Sequence, residues 1–188
     1  MNFSIAQLNN ETIFISGGQI YQASLTVSGK TMQRDGSAST SLVIFDVNSE
    51  RWYQANDFKV VRQHHSSCFL KTKLFLFGGC SDDMGRLSSI ETMDVANDNQ
   101  VWSIISDSRD FTKRTLPLVC AISETQIAIM GGWDISYYSD ILIYDDQTKT
   151  TQKVMNTSIG FDCNMGQAIR GSEDGDFHAL IYPQSGGF

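Results

Sequence analysis

Arginine and tryptophan side chains in the polar segments of this sequence offer its clearest chemistry. Arg62 and Arg114 each lie shortly before an apolar segment, and a guanidinium group binds a carboxylate or a phosphate through two parallel hydrogen bonds. Trp133 is followed by Asp134, and tryptophan is enriched among the residues that dominate protein interfaces. We therefore predict that these segments contact a partner. The candidate contact residues are Arg62, His64, Asp82, Arg114, Trp133 and Asp134.

Two structural alternatives to partner binding stay open. Charged side chains in loops are usually solvated and neutralise one another, and Trp133 is as readily explained by packing inside the fold.

The sequence contains no familiar catalytic or metal-binding motif. Its histidines are His64, His65 and His178, and it has no three-histidine zinc pattern, G-x-S-x-G motif or H-E-x-x-H motif. Its four cysteines show no C-x-x-C spacing, which argues against a zinc site or a dithiol redox site. We predict no catalytic residue, no metal and no cofactor.

Three Gly-Gly pairs, each closing an apolar run, give the chain its organisation. They are Gly17-Gly18, Gly78-Gly79 and Gly131-Gly132, spaced 61 and 53 residues apart. After each pair an apolar or aromatic residue is followed by aspartate, at Phe45-Asp46, Met93-Asp94 and Tyr144-Asp145. Tryptophan then follows twice, as Trp52 and Trp102. Recurrence of two landmarks in phase indicates repeats.

Each repeat reads as four short strands rich in branched and aromatic residues. The second strand of each unit is apolar at successive positions, which is typical of a strand buried on both faces. Glycine after such a strand accepts positive φ and lets another backbone approach closely. The predicted strands are Phe3–Leu8, Thr12–Ser16, Leu42–Val47 and Arg51–Gln54; His65–Lys71, Leu74–Phe77, Ile90–Val95 and Val101–Ile105; Leu118–Ile122, Gln126–Met130, Ile141–Tyr144 and Thr151–Val154; then Gln167–Arg170 and Phe177–Tyr182.

These landmarks together resemble the kelch-repeat β-propeller family. The resemblance implies an all-β, partial kelch-type propeller of three four-stranded antiparallel blades plus about half a fourth. The approximate repeats are 1–56, 57–108 and 109–157, with a partial repeat at 158–188. Since propellers close with about four to eight blades, we expect a fragment or an incomplete ring. The resemblance also makes the three Gly-Gly pairs, Trp52 and Trp102 structural residues, with both tryptophans filling the gaps between blades.

In such a fold the longer connections share one face. We name the four strands of a unit a to d, so that the b–c and d–a connections lie together and the a–b and c–d turns lie opposite. The long connections hold eight of the basic residues and nine of the acids, so most of the net charge of −7 lies elsewhere. This favours the b–c and d–a face as the binding face, with an acidic peptide as one partner. The insert at residues 19–40 on this face is either a partner contact or a tolerated insertion.

Composition limits the function classes. Net negative charge argues against a nucleic-acid-binding surface, and no segment is long and apolar enough to span a membrane. We therefore expect a cytoplasmic protein that binds neither nucleic acid nor a membrane.

The first functional hypothesis is a non-enzymatic protein–protein interaction module of the scaffold or substrate-receptor type, with self-association to complete a propeller as a further possibility. The alternative is an enzyme on the same fold, such as a sugar oxidase or a sialic-acid epimerase, because fold does not decide function.

Overall fold

Four-stranded antiparallel sheets recur along the chain in the computed structural model, which describes residues 3–20, 37–105, 111–158, 160, 166–170 and 177–181. The first sheet has the order β1-β2-β5-β6. A two-stranded β3-β4 ribbon lies within its b–c connection, and residues 21–36 of the predicted insert lie outside the described part of the chain. The strands are β1 (Phe3–Asn9), β2 (Thr12–Gly17), β3 (Gln19–Ile20), β4 (Ser37–Ala38), β5 (Leu42–Asp46) and β6 (Arg51–Gln54).

The second and third sheets repeat this arrangement. The second has the order β12-β11-β8-β7 and carries a β9-β10 hairpin in its b–c connection, and the third has the order β13-β14-β15-β16. Their strands are β7 (Ser66–Leu70), β8 (Lys73–Phe77), β9 (Cys80–Ser81), β10 (Gly85–Arg86), β11 (Ile90–Asp94), β12 (Ser103–Ile105), β13 (Leu118–Ala121), β14 (Gln126–Met130), β15 (Asp140–Asp145) and β16 (Thr150–Asn156).

A two-stranded sheet follows, formed by β17 (Gly166–Arg170) and β18 (Phe177–Ile181). The first strands of successive units, β1, β7, β13 and β17, lie next to one another. The described sheets do not close into a ring. The predicted all-β fold, with three four-stranded antiparallel blades and half of a fourth, is confirmed, and the hairpin β9-β10 is an element that the sequence pattern did not indicate.

Strand alternation decides which residues join neighbouring blades. In β8, Leu74 and Leu76 pack into one cluster with the first sheet, whereas Phe75 and Phe77 pack into a second cluster with the third sheet. All four side chains are buried, because a central strand between two sheets contributes both of its faces to the core. This explains the absence of polar alternation in the sequence of this strand.

The two repeat tryptophans lie in different surroundings. Trp102 is 3% exposed, lies edge-on to Phe58 with ring centroids 5.8 Å apart, and donates from Nε1 to the carbonyl of Asn56 at 2.9 Å. It therefore fills the gap between the first and second blades, as expected. Trp52 is 59% exposed and contacts Phe45 of its own sheet, because no sheet covers that face of the first blade within the described residues. In the described part of the chain, no helix has the length and apolar character of a membrane span.

Candidate interaction site

The b–c and d–a connections meet along one edge of the sheets, which we call the loop face. Gln63 forms an isolated antiparallel bridge with Cys80, and Thr115 forms one with Trp133. Each bridge joins the segment entering a blade to the b–c connection of the same blade. The geometry predicted for these connections is therefore present.

The glycine pairs allow adjacent connections to approach. Gly17 has φ of 63° and Gly78 has φ of 61°, a left-handed conformation that side chains other than glycine seldom adopt. A Cβ on Gly17 would lie 2.6 Å from the carbonyl oxygen of Arg62, and a Cβ on Gly78 would clash with the carbonyl oxygen of Arg114. Glycine at these positions lets the segment entering the next blade pack against the preceding one.

The side chain of Arg62 is wholly inside the protein. Its Nη1 donates to the carbonyl of Gly78 at 2.7 Å, and its Nη2 donates to Glu91 Oε1 at 2.6 Å. The Glu91 carboxylate also accepts the backbone amides of Lys59 and Val60 at 2.8 and 3.0 Å. Burial lowers the pKa of Arg62, and the neighbouring Glu91 carboxylate opposes that change.

Arg114 occupies the corresponding place in the next unit. Its Nη1 donates to the carbonyl of Gly131 at 2.9 Å, and both terminal nitrogens donate to the Asp140 carboxylate, at 2.7 and 2.9 Å. The guanidinium carbon lies 4.0 Å from the centroid of the Tyr138 ring. The acid lies at the start of the third strand of its sheet, whereas Glu91 lies inside the corresponding strand of the second sheet.

The burial of these two arginines contradicts the expectation that they contact a partner. Both side chains are 0% exposed, and their hydrogen bonds go to groups within the chain. A buried guanidinium group needs such partners, because an unpaired charge in the interior is costly. Their role is to hold the Gly-Gly carbonyl and the entering segment together.

The adjacent histidines also differ. His65 is buried, its Nε2 lies 2.8 Å from Ser16 Oγ of the first sheet, and its Nδ1 has no hydrogen-bond partner among the described residues. Burial lowers its pKa to about 3, so the ring is neutral. His64 is half-buried on the loop face with φ of 55°, and burial lowers its pKa as well.

A cleft opens on the loop face between the second and third blades, with a volume of about 400 Å³. It brings together two of the predicted contact residues, His64 and Trp133. Apolar surface predominates in its wall, to which Leu116 and the Trp133 ring contribute. The residues lining it are His64, Cys80, Gly85, Arg86, Thr115, Leu116 and Trp133.

Arg86 is a residue of this cleft that the sequence analysis did not single out. Its guanidinium carbon lies 4.1 Å from the centroid of the Trp133 ring, and its Nη1 lies 3.1 Å from Asp134 Oδ1. A third of its side chain is exposed. Its place in β10, which is part of an unpredicted hairpin, explains why spacing from the Gly-Gly pairs did not identify it.

Asp82 lies at the other end of the same hairpin and contacts a different part of the chain. Its Oδ2 accepts the backbone amide of Ala38 at 3.1 Å, and its Oδ1 lies 3.4 Å from Gln63 Nε2. These bonds tie the b–c connection of the second blade to that of the first. Asp82 remains exposed, so it keeps a place among the candidate contact residues.

Two exposed apolar side chains lie within two positions in sequence of residues that line the cleft. Met84, in the turn of the β9-β10 hairpin, is 63% exposed, and Ile135, directly after Asp134, is 90% exposed. Large apolar side chains of this exposure on loops mark interaction sites more often when they cluster around a pocket. The cluster of Met84, Arg86, Trp133, Asp134 and Ile135 is the candidate site, and we call it the rim cluster.

Among the described residues of the loop face, the exposed charge is not positive. With Arg62 and Arg114 buried, the described connections carry three at least partly exposed cations, Lys59, Arg86 and Lys113. Four acids at least partly exposed accompany them: Asp57, Asp82, Asp83 and Asp134. Within the described residues, no three His, Cys, Asp or Glu side chains lie close enough to hold a metal ion.

Comparison with known proteins relates the chain to proteins with the same repeat. Residues 61–108 match the family model described as Kelch motif. An F-box/kelch-repeat protein of Arabidopsis thaliana is 28% identical over 102 residues, which are 53% of this chain and 25% of that protein. A second F-box/kelch-repeat protein of the same plant is 32% identical over 71 residues, which are 38% of this chain and 16% of that protein.

A mouse relative extends the similarity to most of the chain. Kelch-like protein 36 of Mus musculus is 27% identical over 140 residues, which are 69% of this chain and 22% of that protein. The chain spans a quarter or less of the length of these curated relatives.

Proposed function

We propose that this chain is a kelch-repeat protein and a non-enzymatic module that binds another protein through its loop face. The observation that carries this proposal is the rim cluster. Met84 and Ile135 are exposed within two positions in sequence of residues that line a cleft, and Trp133 lies in the wall of that cleft under the Arg86 guanidinium group. Aromatic and arginine side chains in or next to a pocket are the usual anchors of protein interfaces.

The test compares two matched substitutions in affinity capture followed by mass spectrometry. Ile135→Asp places a charge on the loop face, whereas Val101→Asp makes the same change at a residue 64% exposed in the c–d connection of the second blade. We expect a partner captured by the wild type and by Val101→Asp to be lost from Ile135→Asp. Equal loss from both variants, or from neither, would refute the loop face as the binding face.

A narrower form of the proposal makes the partner segment acidic. It is supported by the exposed cations Lys59, Arg86 and Lys113, and no longer by the two buried arginines. An acidic segment bound by these cations would dissociate as salt rises, because exposed charge pairs are screened. Retention of the captured partner at 0.5 M salt, a concentration chosen as roughly three times physiological, would argue against the acidic form.

The receptor form of the proposal concerns a longer protein. Two of the relatives are named F-box/kelch-repeat proteins, and a role in ubiquitin transfer requires these repeats to be joined to an F-box or BTB region. Sequencing of the complete transcript tests this form directly. The same sequence would test the proposed repeat boundaries at 1–56, 57–108, 109–157 and 158–188.

We place the protein in the cytoplasm. The cysteines described, Cys68, Cys80 and Cys120, are free thiols, which is usual in a reducing compartment. Fractionation of cells that express the tagged chain tests this location.

Self-association is the second partner proposal. The uncovered face of the first blade includes Trp52, which is 59% exposed although its counterpart Trp102 is 3% exposed. A sheet face of this type is covered by a neighbouring sheet at the two internal interfaces. The partner proposed for this face is therefore a second copy of the chain, which would bury Trp52.

A further inference from the structure

We infer that the cleft between the second and third blades receives one large apolar side chain of the partner, aromatic or long aliphatic, while Arg86 binds a carboxylate beside it. This inference rests on the function proposed above and names the chemistry of the segment that the loop face recognises.

The walls of the cleft select for an apolar side chain. Leu116 and the Trp133 ring contribute apolar surface, and the Thr115 hydroxyl is already used because it donates to the Trp133 carbonyl at 3.1 Å. Burial raises the pKa of the Cys80 thiol, so this group is neutral as well. The volume of about 400 Å³ is at the lower end of the range for ligand pockets and suits a side chain more than a large ligand.

Arg86 supplies the polar contact at the mouth of the cleft. Its guanidinium carbon lies 4.1 Å from the centroid of the Trp133 ring, and its Nη1 lies 3.1 Å from Asp134 Oδ1. A guanidinium group has five N–H donors in a fixed plane, so donors remain for an incoming carboxylate. Contact with the ring restricts the guanidinium group before the partner arrives, which lowers the entropic cost of binding.

Asp134 acts as an internal competitor in this arrangement. Its carboxylate occupies one edge of Arg86 in the free protein, and it is about a quarter exposed. An incoming carboxylate must share or displace this contact. Asp134 therefore lowers the affinity for acidic segments, and a segment without an apolar anchor has no other contact in the cleft to offset that loss. Removing its charge should therefore strengthen binding, which a merely structural role of Asp134 would not do.

The experiment selects random linear peptides displayed on phage against the immobilised protein. Each enriched peptide is then synthesised with both ends blocked, so that every carboxylate comes from a side chain, and its affinity is measured by fluorescence polarisation. We expect enriched peptides to place Phe, Tyr, Trp, Leu or Met next to Asp or Glu. The protein variants are Trp133→Ala, Arg86→Gln and Asp134→Asn, with Val101→Asp as the matched control on the opposite edge.

The variants have distinct expected outcomes. Trp133→Ala should weaken binding about tenfold, as is usual for a central anchor. Arg86→Gln should weaken it about fivefold and abolish the preference for Asp or Glu over Asn or Gln in the peptide, whereas Asp134→Asn should tighten binding about two- to fivefold. Val101→Asp should leave it unchanged. Thermal unfolding of each variant identifies any that fail to fold.

Three results would overturn the inference: no peptide enriched, enriched peptides without a large apolar residue, or weaker binding to Asp134→Asn. The capture experiment separates this inference from the proposed function. If Ile135→Asp loses the captured partner and any of these three results is also obtained, the proposed function stands and only the peptide chemistry is rejected. Failure of both experiments would reject the proposed function.

Discussion

The Glu91 carboxylate accepts hydrogen bonds from two backbone amides and from Arg62 in the protein interior. Glu91 lies in β11 together with Ile90 and Met93, and both of these apolar side chains are buried. The acid has a structural role there, because its carboxylate accepts the backbone amides of Lys59 and Val60 in the segment that enters the second blade. At this scale, the function of the pair is to fix the backbone on which the loop face is built.

Arg62→Met should destabilise the protein by about 3–5 kcal/mol, because it leaves Glu91 as a buried charge without its cation. The double variant Arg62→Met with Glu91→Gln should recover part of this loss, since it removes the buried charge and the single amide oxygen still accepts one of the two backbone amides. Urea unfolding of the wild type, both single variants and the double variant measures the coupling. A double variant less stable than Arg62→Met alone would contradict this account.

His65 should make the protein sensitive to acid. Its pKa is lowered to about 3 by burial, whereas in the unfolded chain it is about 6.5. Above pH 6.5 both states are neutral, and the stability is fully present. As pH falls from 6.5 toward 3, the unfolded chain takes up a proton that the folded protein does not, so stability falls by up to roughly 1.4 kcal/mol per pH unit.

The variant His65→Gln tests this assignment, because the amide can keep a hydrogen bond with Ser16. We expect its free energy of unfolding to decrease less between pH 7 and pH 5 than that of the wild type. His64→Gln, at the half-buried neighbour, is the control and should retain most of the pH dependence. An unchanged slope in His65→Gln would exclude His65 as its source.

Among the elements, the b–c connections differ most between the units. All three begin with a Gly-Gly pair with positive φ at both residues, but among the described residues the one in the second blade contains a further glycine with positive φ, Gly85, in its β9-β10 hairpin. A Cβ on Gly85 would meet nothing within 4 Å, whereas a Cβ on Gly78 would clash with a carbonyl oxygen. The two glycines therefore separate the effect of conformation from the effect of close packing.

Gly78→Ala should cost more stability than Gly85→Ala. Both substitutions place a Cβ at a positive φ, which costs about 1–2 kcal/mol, but only the first also pushes the Arg114 carbonyl away. Thermal unfolding should show a clearly lower Tm for Gly78→Ala than for Gly85→Ala. Equal Tm values would mean that close approach of the connections is unimportant.

The sequence predicted the elements better than it predicted the site. The Gly-Gly pairs and the aromatic or methionine residue before each aspartate are fixed by blade packing, so they located strands to within a few residues. The burial of Arg62 was missed because an arginine in a polar segment is usually solvated, and its partner lies in another strand. Glu91 next to the apolar Ile90 in a strand was the available signal. Arg86 was missed because the corresponding position of the first blade's ribbon is Ala38, so no recurring residue marks it.

At the scale of the whole molecule, the first blade has a sheet face that no described residues of another sheet cover. Trp52 shares it with Phe3 and Ile5, all of them exposed, and register places Ile13 and Ile15 in the same rows. The corresponding face of the second blade, with Leu74 and Leu76, is buried against the first.

Sedimentation of the protein over a range of concentrations tests whether a second copy covers this face. Self-association through it should be lost in Trp52→Glu and retained in Tyr53→Glu. The two residues are neighbours in β6, 59% and 48% exposed, and their side chains point to opposite faces of the sheet. Equal behaviour of the two variants, or a wild type that stays monomeric, would reject this interface.

The buried ion pairs have a consequence for how such a chain grows. Every side-chain hydrogen bond of Arg62 ends within residues 57–108, and every one of Arg114 ends within residues 109–157. A duplication or deletion of one such segment would carry the cation and its acid together, even though the acid lies at a different strand position in each. Gene rearrangement by whole units would therefore not leave either arginine or its acid buried without its partner.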